Sequence, residues 1–203
     1  MKIKNLLCPK NNKLRAIRKS LPSKPRAKRP NQIWGTDMTK IMIGNIGWLY
    51  LHIVLDWYSK KIIGWSTAPT SKTRDWLDAL DMAVNNQFEK GIREYHCLSL
   101  VSDNGCQPTS KTFGNHCKLL NIKQIFTSYS NPKGNADTER VMRTIKEELV
   151  HINEYETRDE FTEAFRIWVK RYNIEFPHSA LKYRTPYQAE RDFVNNNPQL
   201  NCT

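Results

Sequence analysis

Acidic residues are missing from the first thirty positions of this 203-residue chain, which carry eleven lysines and arginines. Taking those eleven from the formal charge of +12 leaves only +1 for residues 31–203. The basic excess is thus a property of one end, and polyanions are its natural partners. With Pro22, Pro25 and Pro30 in it, the stretch reads as an extended arm or as the end of an upstream domain. Long apolar runs are also lacking. The longest, from Trp48 to Leu55, suits a strand and is far too short for a membrane span. The opening "MKIKNLLCPKNNKLR" has neither the apolar core nor the small-residue cleavage site of a secretory signal, so an intracellular protein is expected. Cysteine is scarce and odd in number, five in all with no C-x-x-C pair, which argues against a disulfide framework and for reduced thiols. The doublets His96-Cys97 and His116-Cys117 offer zinc donors, but sequence neighbours cannot easily share one tetrahedral site.

What is present is a succession of short elements. Residues 32–43 carry a strand pattern, "GNIG" at 44–47 reads as a hairpin turn, and "WLYLHIVLD" continues as a second strand. "WYSK" at 57–60 turns the chain into a third strand, "KIIGWST", completing an antiparallel meander. From Thr73, Trp76, Leu77, Leu80, Ala83, Val84 and Phe88 recur at helical spacing, with Gly91 as the stop. A short strand at 97–102, a helix near 109–120 and a strand "IKQIF" at 122–126 follow. After the breaker-rich "SNPKGN" at 130–135, a helix from near Asn135 places Val141, Met142, Ile145, Leu149 and Ile152 on one stripe. The last long helix opens with a capping box, Thr157 to Glu160, before Phe161, Ala164, Phe165, Trp168, Val169 and Tyr172. Strands alternating with helices after residue 70 require crossovers. The expected fold is therefore α/β: a five-stranded mixed sheet, its first three strands a meander, with helices on both faces.

Three acids stand out against this pattern. Asp37 lies inside the first strand, in "WGTDMT", where propensity and the burial of charge both disfavour it. Asp103 ends the apolar run "LSLVSDNG", and Glu139 falls near the start of the helix after the breaker loop. In a mixed sheet the first and fourth strands can be neighbours, with the later helix adding its acid beside their ends. Three carboxylates brought together repel unless a cation neutralises them, and an all-oxygen donor set suits Mg²⁺ or Mn²⁺ rather than zinc. Two such ions on shared carboxylates can activate a nucleophile and stabilise a leaving oxygen in phosphodiester chemistry. Arg143 and Lys146, four and seven residues after Glu139, share its helix face and either grip phosphates there or pair with the glutamate.

Asp37, Asp103 and Glu139, with thirty-five residues between the last two, resemble the DDE signature of transposases and retroviral integrases. The stretches "RPNQIWGTDMT", "LYLHIVLDWYSKKIIGWS", "LVSDNGCQ", "NADTERVMRTIKEEL" and "HSALKYRTPYQA" resemble the integrase core of bacterial insertion-sequence transposases. More narrowly, they are similar to the second reading frame of elements that split their transposase over two frames. The resemblance covers about residues 30–192. It implies a ribonuclease H-like fold and metal-dependent cleavage and strand transfer at DNA ends, with Asp37, Asp103 and Glu139 as catalytic metal ligands for two ions. It implies Lys146 as a contact to the donor DNA end. It also implies DNA partners (element ends and target), homo-oligomeric assembly, and a bacterial, nucleoid-associated cytoplasmic setting.

Other positions divide between binding and structural readings. Asn104 either hydrogen-bonds a phosphate or closes a turn, Gly105 allows the backbone to aim Asp103, and Lys133 in the "NPKG" loop either meets DNA or sits in a plain connector. Asp56 matches a structural position of the family, His178 reads as a packed C-terminal histidine, and Trp34, Trp48, Trp65, Trp76 and Trp168 read as core. The expected organisation is a basic arm or remnant of an upstream DNA-binding region at 1–30, a catalytic core at 31–192 and a frayed tail at 193–203. Because the family's upstream helix-turn-helix region is missing, three expectations stand side by side: action with a separate DNA-binding transposase subunit, action as a frameshift fusion, or inactivity of the chain alone. Two rivals stay open: an inactive DNA-binding remnant of a decayed element, and a ribonuclease H-type nuclease. The second would take its glutamate from the helix after the third strand, which holds Asp75, Asp78 and Asp81 but no glutamate before Glu89.

Overall fold

The computed structural model describes residues 26–89, 91–92, 97–127 and 134–197. Three strands come first: β1 (Ile33–Ile43), β2 (Gly47–Asp56) and β3 (Ile62–Ala68). Then follow α1 (Thr73–Gln87), β4 (Ser99–Ser102), α2 (Lys111–Leu119), β5 (Lys123–Phe126), α3 (Ala136–Ile145), α4 (Arg158–Glu175) and α5 (Pro186–Asn196). The strands form one sheet in the order β3-β2-β1-β4-β5, with β1 antiparallel to β2 and parallel to β4. The meander and the mixed sheet are as the strand patterning predicts. Among the described residues no helix is long and apolar enough to cross a membrane.

Alternation along β1 assigns its faces. Ile33, Ile41 and Ile43 join the apolar layer formed with α3 and α4, while Trp34 joins the layer formed with α1 and α2. Helices therefore cover both faces. On one side α4 presents Phe161, Phe165, Trp168 and Tyr172, whose rings follow one another at 5.1–6.0 Å down the helix. On the other side α1 lies so close to β3 that a Cβ on Gly64 would stand 2.3 Å from the Ala79 carbonyl oxygen and 2.6 Å from the Ala83 nitrogen. Backbone cannot yield as a flexible side chain can, so that position needs glycine.

The parallel pairing of β1 with β4 is short. It runs from Ile33↔Ser99 to Gly35↔Val101 and stops. Beyond Gly35, β1 continues with β2 alone. Asp56, at the end of β2, is fully buried and serves the turn that follows, accepting from the Asn31 and Ser59 amides and the Ser59 hydroxyl at 3.0, 2.9 and 2.6 Å. His178 packs edge-on against Tyr172 with ring centroids 5.1 Å apart. Both agree with their structural readings.

Several local expectations are corrected. α1 ends at Gln87, four residues before Gly91. Thr157 does cap α4 by accepting from the Glu160 amide at 3.2 Å, but the Glu160 carboxylate accepts from the Glu156 amide rather than closing the box. After α3 the chain widens into a π turn, Lys146–Val150, which shifts the helical phase and ends the helix, leaving Ile152 exposed instead of on the apolar stripe. Trp48 is 45% exposed, with the Lys40 ammonium 4.3 Å from its ring centroid, because its strand runs past the helix that covers its neighbours. Residue 192 is not the end of ordered core: α5 continues to Asn196, with Phe193 edge-on to Tyr58 at 5.3 Å. A capping box of Thr185 and Gln188 with Pro186 at the first position starts that helix.

The Gly64 contact sets one expectation. Gly64→Ala must push α1 off β3 and should destabilise the protein by about 2–4 kcal/mol, read as a lowered midpoint in urea unfolding. Unchanged stability would show that the helix can shift at no cost.

Candidate active site

Asp37 occupies the α3-facing side of β1, opposite Ile53 of β2 and two residues past the last β4 pairing. Its Oδ1 accepts the amide of Met38 at 2.8 Å. Burial pushes its pKa from 3.8 up to about 6 against the pull of that amide. Asp103 and Glu139 add to the rise, and Lys146 opposes it. All three partners expected from sequence are therefore near enough to act on Asp37 electrostatically.

Glu139 arrives on α3. That helix begins at Asn135, whose carbonyl accepts the Glu139 amide at 3.0 Å, so the glutamate sits in the first turn after the cap. Acids are favoured there by the helix dipole. Asp37, Glu139, Arg143 and Lys146 line one depression of about 300 Å³, and Glu147 and His151 complete its wall. The shared face predicted for Glu139, Arg143 and Lys146 is thus present and turned toward Asp37.

His151 and Glu147 were not foreseen. The His151 amide donates to the Lys146 carbonyl five residues back at 2.8 Å. Glu147, eight residues after Glu139, keeps the helical face of the glutamate, whereas His151 comes in only through the π turn, which has no local sequence signature.

Asp103 stands differently. It lies just past β4, exposed, with Oδ1 accepting the Gly105 amide at 3.0 Å. A Cβ on Gly105 would come within 2.9 Å of that oxygen, so the glycine leaves room for the carboxylate. Asn104 donates its amide to the Thr127 carbonyl at the end of β5, which favours the turn-closing role. Asp103 influences Asp37 but does not line the depression with it. Among the described residues no group of three His, Cys, Asp or Glu is arranged to hold a metal ion. The β1–α3 pair is built, and the third acid waits at the neighbouring strand end. Lys133 lies outside the described residues, as do residues 1–25 of the basic arm.

The donor chemistry fits a hard divalent cation: carboxylate oxygens of like charge, one of them with its proton affinity raised by burial and by the others. Because the folded-state pKa of Asp37 lies above the unfolded value of 3.8, its contribution to stability is complete below about pH 4 and is lost as pH rises through about 6. In chelator, Asp37→Asn should therefore stabilise the protein at pH 7 by on the order of 1–3 kcal/mol, the difference fading as pH falls to about 4. Urea titrations of both proteins at the two pH values test this, and a destabilised Asn variant at pH 7 would refute it.

Two family models, each described as "Integrase core domain", match residues 27–132 and 120–186. The transposase for insertion sequence element IS904 of Lactococcus lactis subsp. lactis is 32% identical over 170 residues, 82% of this chain and 64% of that relative. The chain thus spans less than two thirds of that relative's length. A chain of the simian T-cell lymphotropic virus intasome, in complex with PP2A regulatory subunit B56 gamma, superposes with a TM-score of 0.68 at 19% identity, over 82% of this chain and 56% of that one. The HTLV-2 integrase catalytic core domain in complex with magnesium (trimeric form) superposes with a TM-score of 0.62 at 19% identity, over 81% of this chain and 99% of that one. At such identities the two superpositions establish the fold, which is ribonuclease H-like.

Proposed function

The chain belongs to the integrase core domain family, and from that premise we propose that it is the catalytic domain of a divalent-metal-dependent DDE transposase. The observation that carries this reading is the depression shared by Asp37 of β1 and Glu139 of α3, rimmed by Arg143 and Lys146. Its substrate is DNA: the ends of an insertion element and a target strand. In the first step water attacks a phosphodiester at the element tip and frees a 3′-hydroxyl. In the second that hydroxyl attacks a target phosphodiester in line, forming the new phosphodiester as the target's own P–O3′ bond breaks and its 3′-oxygen leaves as a hydroxyl.

Asp37, Asp103 and Glu139 would be the carboxylates that hold Mg²⁺ or Mn²⁺, two ions being expected. Bound there, the ions supply Lewis-acid activation of the attacking oxygen and charge balance on the departing one. The protein's own part is placement. Arg143 and Lys146 attract the phosphates of the strand to the rim, and Lys133 is proposed on sequence grounds to meet the same strand from the breaker loop. No side-chain nucleophile is required, so no covalent protein–DNA link forms. Two element ends must meet, which calls for a homo-oligomer, with terminal-repeat recognition supplied by the upstream region or a separate subunit.

A ribonuclease H-type nuclease is less well supported, because two of the three acids on the helix after β3 are committed elsewhere. Asp75 accepts the Lys72 amide at 2.7 Å at the start of α1, and Asp81 pairs with His116 at 2.6 Å. Hydrolysis of an RNA–DNA hybrid without joined products would favour it nonetheless.

Asp37→Asn, Asp103→Asn and Glu139→Gln should each lower Mn²⁺-dependent joining of a short DNA hairpin by roughly a hundredfold or more while unfolding cooperatively. Near-normal joining by any of them would overturn the assignment. Lys146→Ala should weaken DNA binding in chelator about equally for all sequences and reduce its salt slope by about one ion. An unchanged slope would mean that Lys146 makes no phosphate contact.

A further inference from the structure

Asn135 stands at the N-cap of α3, where asparagine ordinarily turns its side-chain oxygen onto the helix amides. Here it makes no such bond. Its Nδ2 instead donates to the carbonyl of Thr36, ninety-nine residues away, at 3.2 Å. Thr36 is the first β1 residue beyond the β4 pairing, which ends at Gly35. The carboxamide of Asn135 therefore takes a strand carbonyl at the point where the neighbouring strand parts from β1. In doing so its Oδ1 is left buried with no hydrogen-bond partner among the described residues.

A second tie lies beside the first. The indole Nε1 of Trp57 donates to the Thr138 hydroxyl at 3.1 Å, with Trp57 3% and Thr138 0% exposed. Both ties close over Gly35: a Cβ there would stand 2.1 Å from Thr138 Oγ1, 2.3 Å from Trp57 Nε1 and 3.0 Å from Asn135 Oδ1. Trp57 and two residues from the start of α3 thus converge on one glycine, two residues before Asp37 and directly under the turn that carries Glu139.

The arrangement forgoes a helix cap and strands a buried acceptor, both of which weaken the fold. An ordinary serine at residue 135 would do better for stability alone. Such a concession beside a functional site points to placement as its purpose. We propose that Asn135, seconded by the Trp57–Thr138 bond, is a positioning residue that locks the first turn of α3 onto β1 and so fixes the spacing of Glu139 from Asp37. This rests on the reading of those two acids as metal ligands. Asn135 does not touch the cation or the DNA; it acts through the backbone of α3.

The test uses the full chain with Mn²⁺ alone as probe, scored by the metal-induced rise in melting temperature, and then DNA joining scored for kcat and KM separately. Asn135→Ser restores a cap but cannot reach Thr36. It should melt at or above the wild-type temperature without metal, yet need roughly 10- to 100-fold more Mn²⁺ for half-saturation and lose kcat by a similar factor with KM for DNA unchanged. Wild-type half-saturation in that variant overturns the proposal. Should Asn135→Ser melt lower, the decision passes to Thr138→Ser, which keeps the acceptor, and Thr138→Val, which removes it. Metal affinity retained by the first and weakened in the second supports the proposal; equal affinity sinks it. A wild-type chain indifferent to Mn²⁺ would instead overturn the metal-dependent reading itself, and this inference with it.

Discussion

Asp37 stands on the central strand with two other acids near it, and both its burial and their charge push its pKa to about 6. A fold cannot place like charges together for nothing. The structure tolerates it through two features. Asp37 faces the depression it shares with Glu139 on the α3 side of β1, so water still reaches its carboxyl. Lys146 also acts on it from the far end of α3, offsetting part of the acidic field. Everything else in the site is arranged around that one uncomfortable group.

The parting of β1 and β4 explains the rest of the layout. Two parallel central strands that separate past their last pair leave room above their ends, the usual location of a site in an open α/β sheet. β1 runs on with β2, carrying Asp37 into the gap, while β4 ends and turns at Asp103. α3 lies across the gap with Glu139 in its first turn. The acids are therefore supplied by three separate elements, each anchored by its own hydrogen bonds: Met38 for Asp37, Gly105 for Asp103 and the α3 backbone for Glu139.

The elements were legible in the residues wherever periodicity and burial agreed. β2 alternates weakly but is bounded by "GNIG" and "WYSK", and α4 repeats aromatics at helical spacing, so both were readable. Asp37 stood out because an aspartate inside β1 contradicts its surroundings. What escaped was long-range or phase-dependent. The π turn at Lys146–Val150 shifts the phase after α3, hiding His151 and exposing Ile152. Trp48 is exposed because its strand outruns its cover, a fact about the neighbours of β2 rather than its own residues. The bond from Asn135 to Thr36 spans ninety-nine residues, and nothing in "GNAD" announces it.

A raised pKa does not by itself mark a functional acid, and this molecule contains its own control. Asp56 is also pushed by burial to about 6, at the end of the neighbouring strand. Yet Asp56 is 1% exposed and its carboxylate accepts three hydrogen bonds, two from amides and one from a hydroxyl. Its demands are met from within, and no further cation has access to it. Asp37 accepts one amide, opens onto a depression and shares that depression with a second carboxylate. The difference between the two lies in satisfaction and access, not in burial. An acid whose oxygens are occupied by neighbouring amides and a hydroxyl is structural; one held beside other acids, under-bonded and open, keeps oxygens available to a ligand.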